Sequence, residues 1–196
     1  MIKTTSMLVE ELRRDYRNPK CKIAGLVKDG KLTPIIRGLY ETNPNVDGYL
    51  LADIIYSPSY LSFDYALHVH SMIPEAVMTY TSATCGKRRK KEYKTPFGRF
   101  TYSDVPIDIF AAEIDLNHVG GYTYWLATPE KALCDKMYSL PPVKGLKMME
   151  LTLFEDLRLY EDSFDELDAS IIDELSKYYH STNVSLLSRY LKKMRA

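Results

Sequence analysis

Apolar positions near the amino end recur at helical spacing. Leu8, Leu12 and Tyr16 stand at i, i+4 and i+8, which predicts one amphipathic helix over about residues 5–16. Thr5 or Ser6 can cap it, and Arg13 and Arg14 sit near the end where the helix dipole favours cations. Ile23, Leu26 and Val27 repeat the pattern. That second helix is sharply bounded, by Asn18 as N-cap, Pro19 in the first turn and Gly30 past the last turn. Residues 31–40 then read as two short strands around Arg37-Gly38, a hairpin or wing. Asn43-Pro44-Asn45 interrupts the pattern and marks a boundary.

Beyond the boundary, Val46 to Tyr56 reads as helical. Ser57-Pro58 reads as a cap and first residue of a helix from Ser59 to about His70, with Leu61, Tyr65 and Val69 on its inner side. From Val77 the period shifts toward two. Met78, Tyr80 and Ser82 alternate with their neighbours, and Phe100 and Tyr102 share a face. Segments 107–116 and 121–127 complete an antiparallel meander. Thr128-Pro129-Glu130 opens a helix that buries Leu133 and Met137 and stops before Pro141-Pro142. Three charged helices follow, over about 146–159, 164–177 and 183–194. The expected fold class is α+β. A winged helix-turn-helix over residues 1–43 precedes an α/β domain over 44–196, with an antiparallel sheet and C-terminal helices.

Composition narrows the class. The 196 residues are 45% hydrophobic and 27% charged, as in folded chains and unlike disordered ones. No apolar run approaches the roughly 20 residues of a membrane span, and Met1-Ile2-Lys3-Thr4-Thr5 starts no signal-peptide core. Cys21, Cys85 and Cys134 are odd in number and widely spaced, so neither a disulfide framework nor a metal knuckle is expected. A reducing, cytoplasmic location is the expectation. Lysine plus arginine balances aspartate plus glutamate at 26 each, but the charges segregate. Residues 1–40 carry nine basic and four acidic groups, and 150–174 carry ten acidic groups against Arg158 alone. Residues 175–196 carry five basic groups and none acidic. Such segregation points to faces with separate tasks.

The chemistry that this pattern allows is recognition rather than catalysis. Two helices joined by a turn and followed by a β-wing define a winged helix-turn-helix, whose second helix enters the major groove. Lys20, Lys22, Lys28, Lys31 and Arg37 can neutralise phosphates, and Asn18 and Thr33 can hydrogen-bond them. The plainer alternative is a helical cap with solvated lysines. Lys87, Arg88, Arg89, Lys90 and Lys91 form a compact basic run between strands, either solvated or an auxiliary contact for phosphate or an acidic partner. Five cations beside Cys85 can lower a thiol pKa, but the plainer reading is an unreactive cysteine. His68 and His70, two apart on an expected helix, point to different sides, and His118 and His180 stand alone, so no metal site is expected. Within Glu130–Lys136, Lys131 and Asp135 read as an ordinary i, i+4 pair and Cys134 as core. There is no Walker loop, nucleophile elbow, zinc-protease helix, dinucleotide fingerprint or paired-aspartate nucleotidyltransferase motif. No catalytic residues, metal or cofactor are expected.

Four stretches carry a family resemblance. They are Ile36-Arg37-Gly38-Leu39-Tyr40; residues 52–62, from Ala52-Asp53-Ile54 through Ser57-Pro58 to Ser62, with Ala66-Leu67; Thr95-Pro96-Phe97-Gly98-Arg99-Phe100-Thr101-Tyr102; and Ala127-Thr128-Pro129-Glu130-Lys131-Ala132-Leu133-Cys134-Asp135. Together, over about residues 5–140, the chain resembles the AbiEi family, antitoxins of type IV toxin–antitoxin systems first known from phage abortive infection. The resemblance implies an N-terminal winged helix-turn-helix that binds inverted repeats in its own promoter and represses the operon. It implies a C-terminal domain that counters a nucleotidyltransferase-like toxin without a stable complex. The alternative is a binding module that neutralises its toxin by direct contact without DNA binding.

Overall fold

A computed structural model describes residues 1–195. The fold is α+β, built around two sheets. The smaller sheet has the order β1-β3-β2, from Ile2–Thr4 (β1), Thr33–Ile36 (β2) and Leu39–Glu41 (β3). Between β1 and β2 run α1 (Thr5–Leu12) and α2 (Pro19–Lys28). Thr4 caps α1 by accepting from the Met7 N–H, so the cap lies one residue earlier than expected, and Tyr16 falls beyond the helix. Asn18 caps α2 as read, accepting from the Cys21 N–H. Arg37-Gly38 forms the two-residue turn of the β2–β3 hairpin, and Gly38 adopts a positive φ of 85° that glycine tolerates without strain. The Gly38 carbonyl accepts the Thr5 N–H and so ties the hairpin tip to the start of α1.

The larger sheet has the order β6-β7-β5-β4-β9-β8. Its strands are β4 (Ser59–Leu61), β5 (Thr79–Thr84), β6 (Lys91–Thr95), β7 (Gly98–Asp104), β8 (Ile114–Val119) and β9 (Tyr122–Ala127). It is mixed and not the antiparallel meander that alternation suggested. β5 pairs with β7, and β4 with β9, in parallel. The physical reason is that β6 folds back on the outer side of β7, which leaves β7 to pair with β5.

β4 itself occupies chain that the pattern assigned to a helix. Ser57-Pro58 is a cis peptide bond that leads into a strand instead of capping a helix. All three β4 residues are buried, so the strand shows no alternation. The helix that follows, α4 (Phe63–Val69), buries Phe63, Ala66 and Leu67 and leaves Val69 exposed. Residues 46–56 form only a 3₁₀ turn (Gly48–Leu51) and the single-turn α3 (Ala52–Ile55), and residues 107–109 form another 3₁₀ turn ahead of β8.

The carboxyl half is helical: α5 (Pro129–Ser139), α6 (Leu146–Leu151) continued by a π turn over Thr152–Asp156, α7 (Glu161–Asp165), α8 (Ala169–Tyr179) and α9 (Thr182–Met194). Thr128 caps α5 as read. The expected helix over 146–159 is shorter and passes into the π turn, and the 164–177 segment divides into α7 and α8.

Burial separates two cores. Leu8, Ile23 and Leu32 form a small one between α1, α2 and one face of the three-stranded sheet, with Tyr40 against them. Ile35 and Leu39, on the other face, join the main core. β2 also lies against β6, so the edges of the two sheets meet. No helix among the described residues is long and apolar enough to cross a membrane.

Candidate nucleic-acid interface

α2 is amphipathic in a simple way. Ile23 faces the small core, flanked by the half-buried Leu26 and Val27. At about 100° per residue the outward side carries Cys21, Gly25 and Lys28, with Ala24 beside them. Cys21, Ala24 and Gly25 are small, so the backbone here can be approached closely, and Lys28 projects from the same side at the helix end. Among the described residues its other long polar groups lie on the flanks. Lys20, roughly 80° from Lys28, is on one flank, and both are exposed. Lys22 falls on the opposite flank, half-buried, with its Nζ 4.9 Å from the centre of the Tyr16 ring.

The other expected residues divide in the same way. Lys31 and Arg37 are exposed, at the end of α2 and at the hairpin tip. Neither they nor Lys20 and Lys28 take part in an ion pair among the described residues. Asn18 spends its carbonyl oxygen on the cap of α2. Thr33 pairs with Glu41, so it lies on the sheet face turned away from both helices and does not join the lysines. Arg13, Arg14 and Arg17 are exposed in the turn between α1 and α2. Sequence reading placed two of them at the end of a helix and gave none a binding role. The charge excess of residues 1–40 was the signal that pointed to them.

The second basic run is a structured loop. Lys87 Nζ donates to the Ser57 carbonyl at 3.1 Å and lies 5.2 Å from the centre of the Tyr56 ring. The Arg88 N–H donates to Asp104, and Arg88 has a positive φ of 54°. Arg88, Arg89 and Lys90 are exposed, and Lys91 opens β6. The loop therefore presents three exposed cations rather than five. The run does not activate Cys85: burial first, then the Asp104 carboxylate, pushes its thiol pKa up, against the smaller pull of Lys87.

The Lys131–Asp135 pair is far from ordinary. Both are fully buried, with Nζ 3.5 Å from Oδ1. Asp135 accepts from Tyr179 at 2.5 Å, Tyr60 at 2.9 Å and Ser62 at 2.6 Å. Lys131 donates to the Ile109 carbonyl and to Tyr179. Burial pulls the lysine pKa down and pushes those of Tyr60 and Tyr179 well up. Every donor is matched to an acceptor, and the cluster ties β4, α5, α8 and the 107–109 turn together. Its geometry is that of a structural clamp. Cys134 beside it is buried, as read. His70 donates to the Ala127 carbonyl at 2.7 Å, and the described residues hold no cluster of three or more potential metal ligands. No protein-family model matches the chain, and no curated protein matches it.

Proposed function

We propose that the protein is an operon autorepressor and antitoxin of the AbiEi type, with α1, α2 and the β2–β3 hairpin as its DNA-reading unit. One observation carries the reading. A helix pair backed by a three-stranded sheet of order β1-β3-β2 leaves α2 open on its outer side, with Lys28 there and Lys20 on one flank, both exposed and in no ion pair among the described residues. That arrangement suits a helix laid in the major groove, with Arg37 at the hairpin tip as a backbone contact. The exposed Arg88, Arg89 and Lys90 add positive potential on the second unit. Two copies on an inverted repeat would occupy half-sites about one turn apart, or a multiple of it. The toxin, a nucleotidyltransferase-like protein, would be countered by the larger domain.

The test is a salt series of binding to the chain's own promoter, followed by fluorescence anisotropy. Lys20→Ala, Lys28→Ala and Arg37→Ala should each flatten the slope of log K against log salt by about 0.9. Lys22→Ala should change it little, because Lys22 rests against Tyr16. An unchanged slope in the triple variant overturns the DNA reading.

A second reading has its own observation. Glu155, Asp156, Glu161, Asp162, Asp165, Glu166 and Asp168 are all exposed along α7 and its flanks. Such a surface suits direct contact with a basic partner. Co-purification of this chain with its toxin, lost when Glu161, Asp162, Asp165 and Glu166 are replaced by Gln or Asn, would favour neutralisation by contact.

A further inference from the structure

Where the chain enters the second unit, a pocket of about 540 Å³ is walled by tyrosine. Tyr49 comes from the first 3₁₀ turn, Tyr65 from α4 and Tyr80 from β5, and Asp47 stands at the rim. The rings brace one another. Tyr65 meets Tyr80 edge-on at 5.2 Å between centroids, and Tyr49 meets Tyr124 of β9 at 5.0 Å. Gly48 makes the close packing possible, since a Cβ there would fall 2.3 Å from both the Phe97 carbonyl oxygen and the Tyr80 ring.

This pocket is polar in an unspent way. The hydroxyls of Tyr49 and Tyr65 enter no hydrogen bond among the described residues, while the Tyr80 oxygen takes the Gly48 backbone N–H. Asp47 is exposed and takes part in no ion pair among the described residues. Among the described residues no lysine or arginine lines the pocket, and the imidazole of His68 stands in its wall beside Val69 and Val77. Ring faces carry negative potential, and phenol oxygens and a carboxylate add to it. Burial, and then the neighbouring phenols and Asp47, raise the pKa values of Tyr49 and Tyr65, which places these groups within electrostatic reach of one another.

We infer that this tyrosine pocket with Asp47 at its rim receives an arginine side chain of a protein partner. A guanidinium is planar and stacks on aromatic faces, and its fork of N–H donors matches free phenol oxygens and a carboxylate. The Asp47 carboxylate at the rim disfavours a phosphate-bearing ligand, so the site is read as serving a partner other than DNA. The inference stands apart from the repressor reading, because Asp47 and the tyrosines lie outside α2 and the β2–β3 hairpin.

The experiment uses the full chain and N-acetylarginine amide, followed by NMR of the tyrosine rings. Its neutral isostere N-acetylcitrulline amide and free arginine serve as controls. Saturable shifts of the Tyr49, Tyr65 and Tyr80 resonances are expected below about 50 mM, in the millimolar range that one side chain supports. Citrulline amide should bind about tenfold more weakly, and Asp47→Asn, a surface change with no packing role, should weaken the arginine probe about fivefold. Tyr65→Phe, which keeps the ring, should weaken it by a smaller factor. Equal binding of the citrulline probe, or no shift at saturation, overturns the inference. Tighter binding of free arginine than of the blocked amide overturns the protein-partner source, because a free amino acid would then be the better ligand.

Discussion

At the scale of single residues, the buried polar groups are the most informative. Lys131 lacks contact with water and is held by one carboxylate, one carbonyl and one phenol. Lys131→Met should therefore cost about 3–5 kcal/mol, since it strands the Asp135 charge in the core. Urea unfolding checks this, and Lys131→Met combined with Asp135→Leu should recover part of the loss. Asn183 gives a second case. Its side chain donates to the carbonyls of Met137, Leu140 and Pro141 and accepts from the Val143 N–H, so it fastens α9 to the turn after α5. Asn183→Ala should cost about 2–3 kcal/mol, the penalty for leaving buried peptide groups without partners, and the same denaturant titration measures it. Sequence reading saw the Lys131–Asp135 spacing but not its burial. A spacing of four is equally common on wet and dry helix faces, and the deciding partners, Tyr60 and Tyr179, lie 75 and 44 residues from Asp135.

At the scale of elements, local signals were legible where they were chemical. Asn18-Pro19 and Thr128-Pro129 mark helix starts because a side-chain oxygen and a preset φ act within a few residues. Thr128→Ala should destabilise the chain by about 1 kcal/mol and Thr128→Ser much less, as thermal melts can show. β4 was illegible for the opposite reason. A three-residue strand with pairing partners on both sides and both faces covered has no period to read, and its partners are fixed by distant chain. The same holds for the parallel pairings, which a run of alternating residues cannot distinguish from antiparallel ones. In α2 the positions of the lysines were legible but their directions were not. Lys22 is withdrawn by Tyr16, a residue that the pattern placed inside the first helix.

At the scale of the molecule, many packed tyrosines set the response to pH. Burial raises the pKa values of Tyr60, Tyr65, Tyr102 and Tyr179, and that of Tyr122 to about 12. In the unfolded chain these phenols titrate near about 10. Their folded-state pKa values are higher, so their contribution is fully present below about pH 10 and is lost as pH rises beyond it. Lys131 acts in the opposite sense, because its folded pKa is lowered, but it is one group against several. Melting temperature should therefore hold steady from pH 8 to about 10 and fall steeply above it, with tyrosine absorbance at 295 nm rising together with unfolding. A flat melting temperature through about pH 11 would contradict the assignment of these phenols to the interior.

Cys21, set among small neighbours on the outer side of α2, is the exposed thiol of the three, while Cys134 is enclosed and Cys85 is partly covered. Any bulky maleimide will thus attach first at the surface proposed to meet DNA. Bound operator should slow that labelling, and a protein already labelled there should no longer fit its site. The chain thereby carries a built-in footprinting tag, readable by intact mass without any mutation.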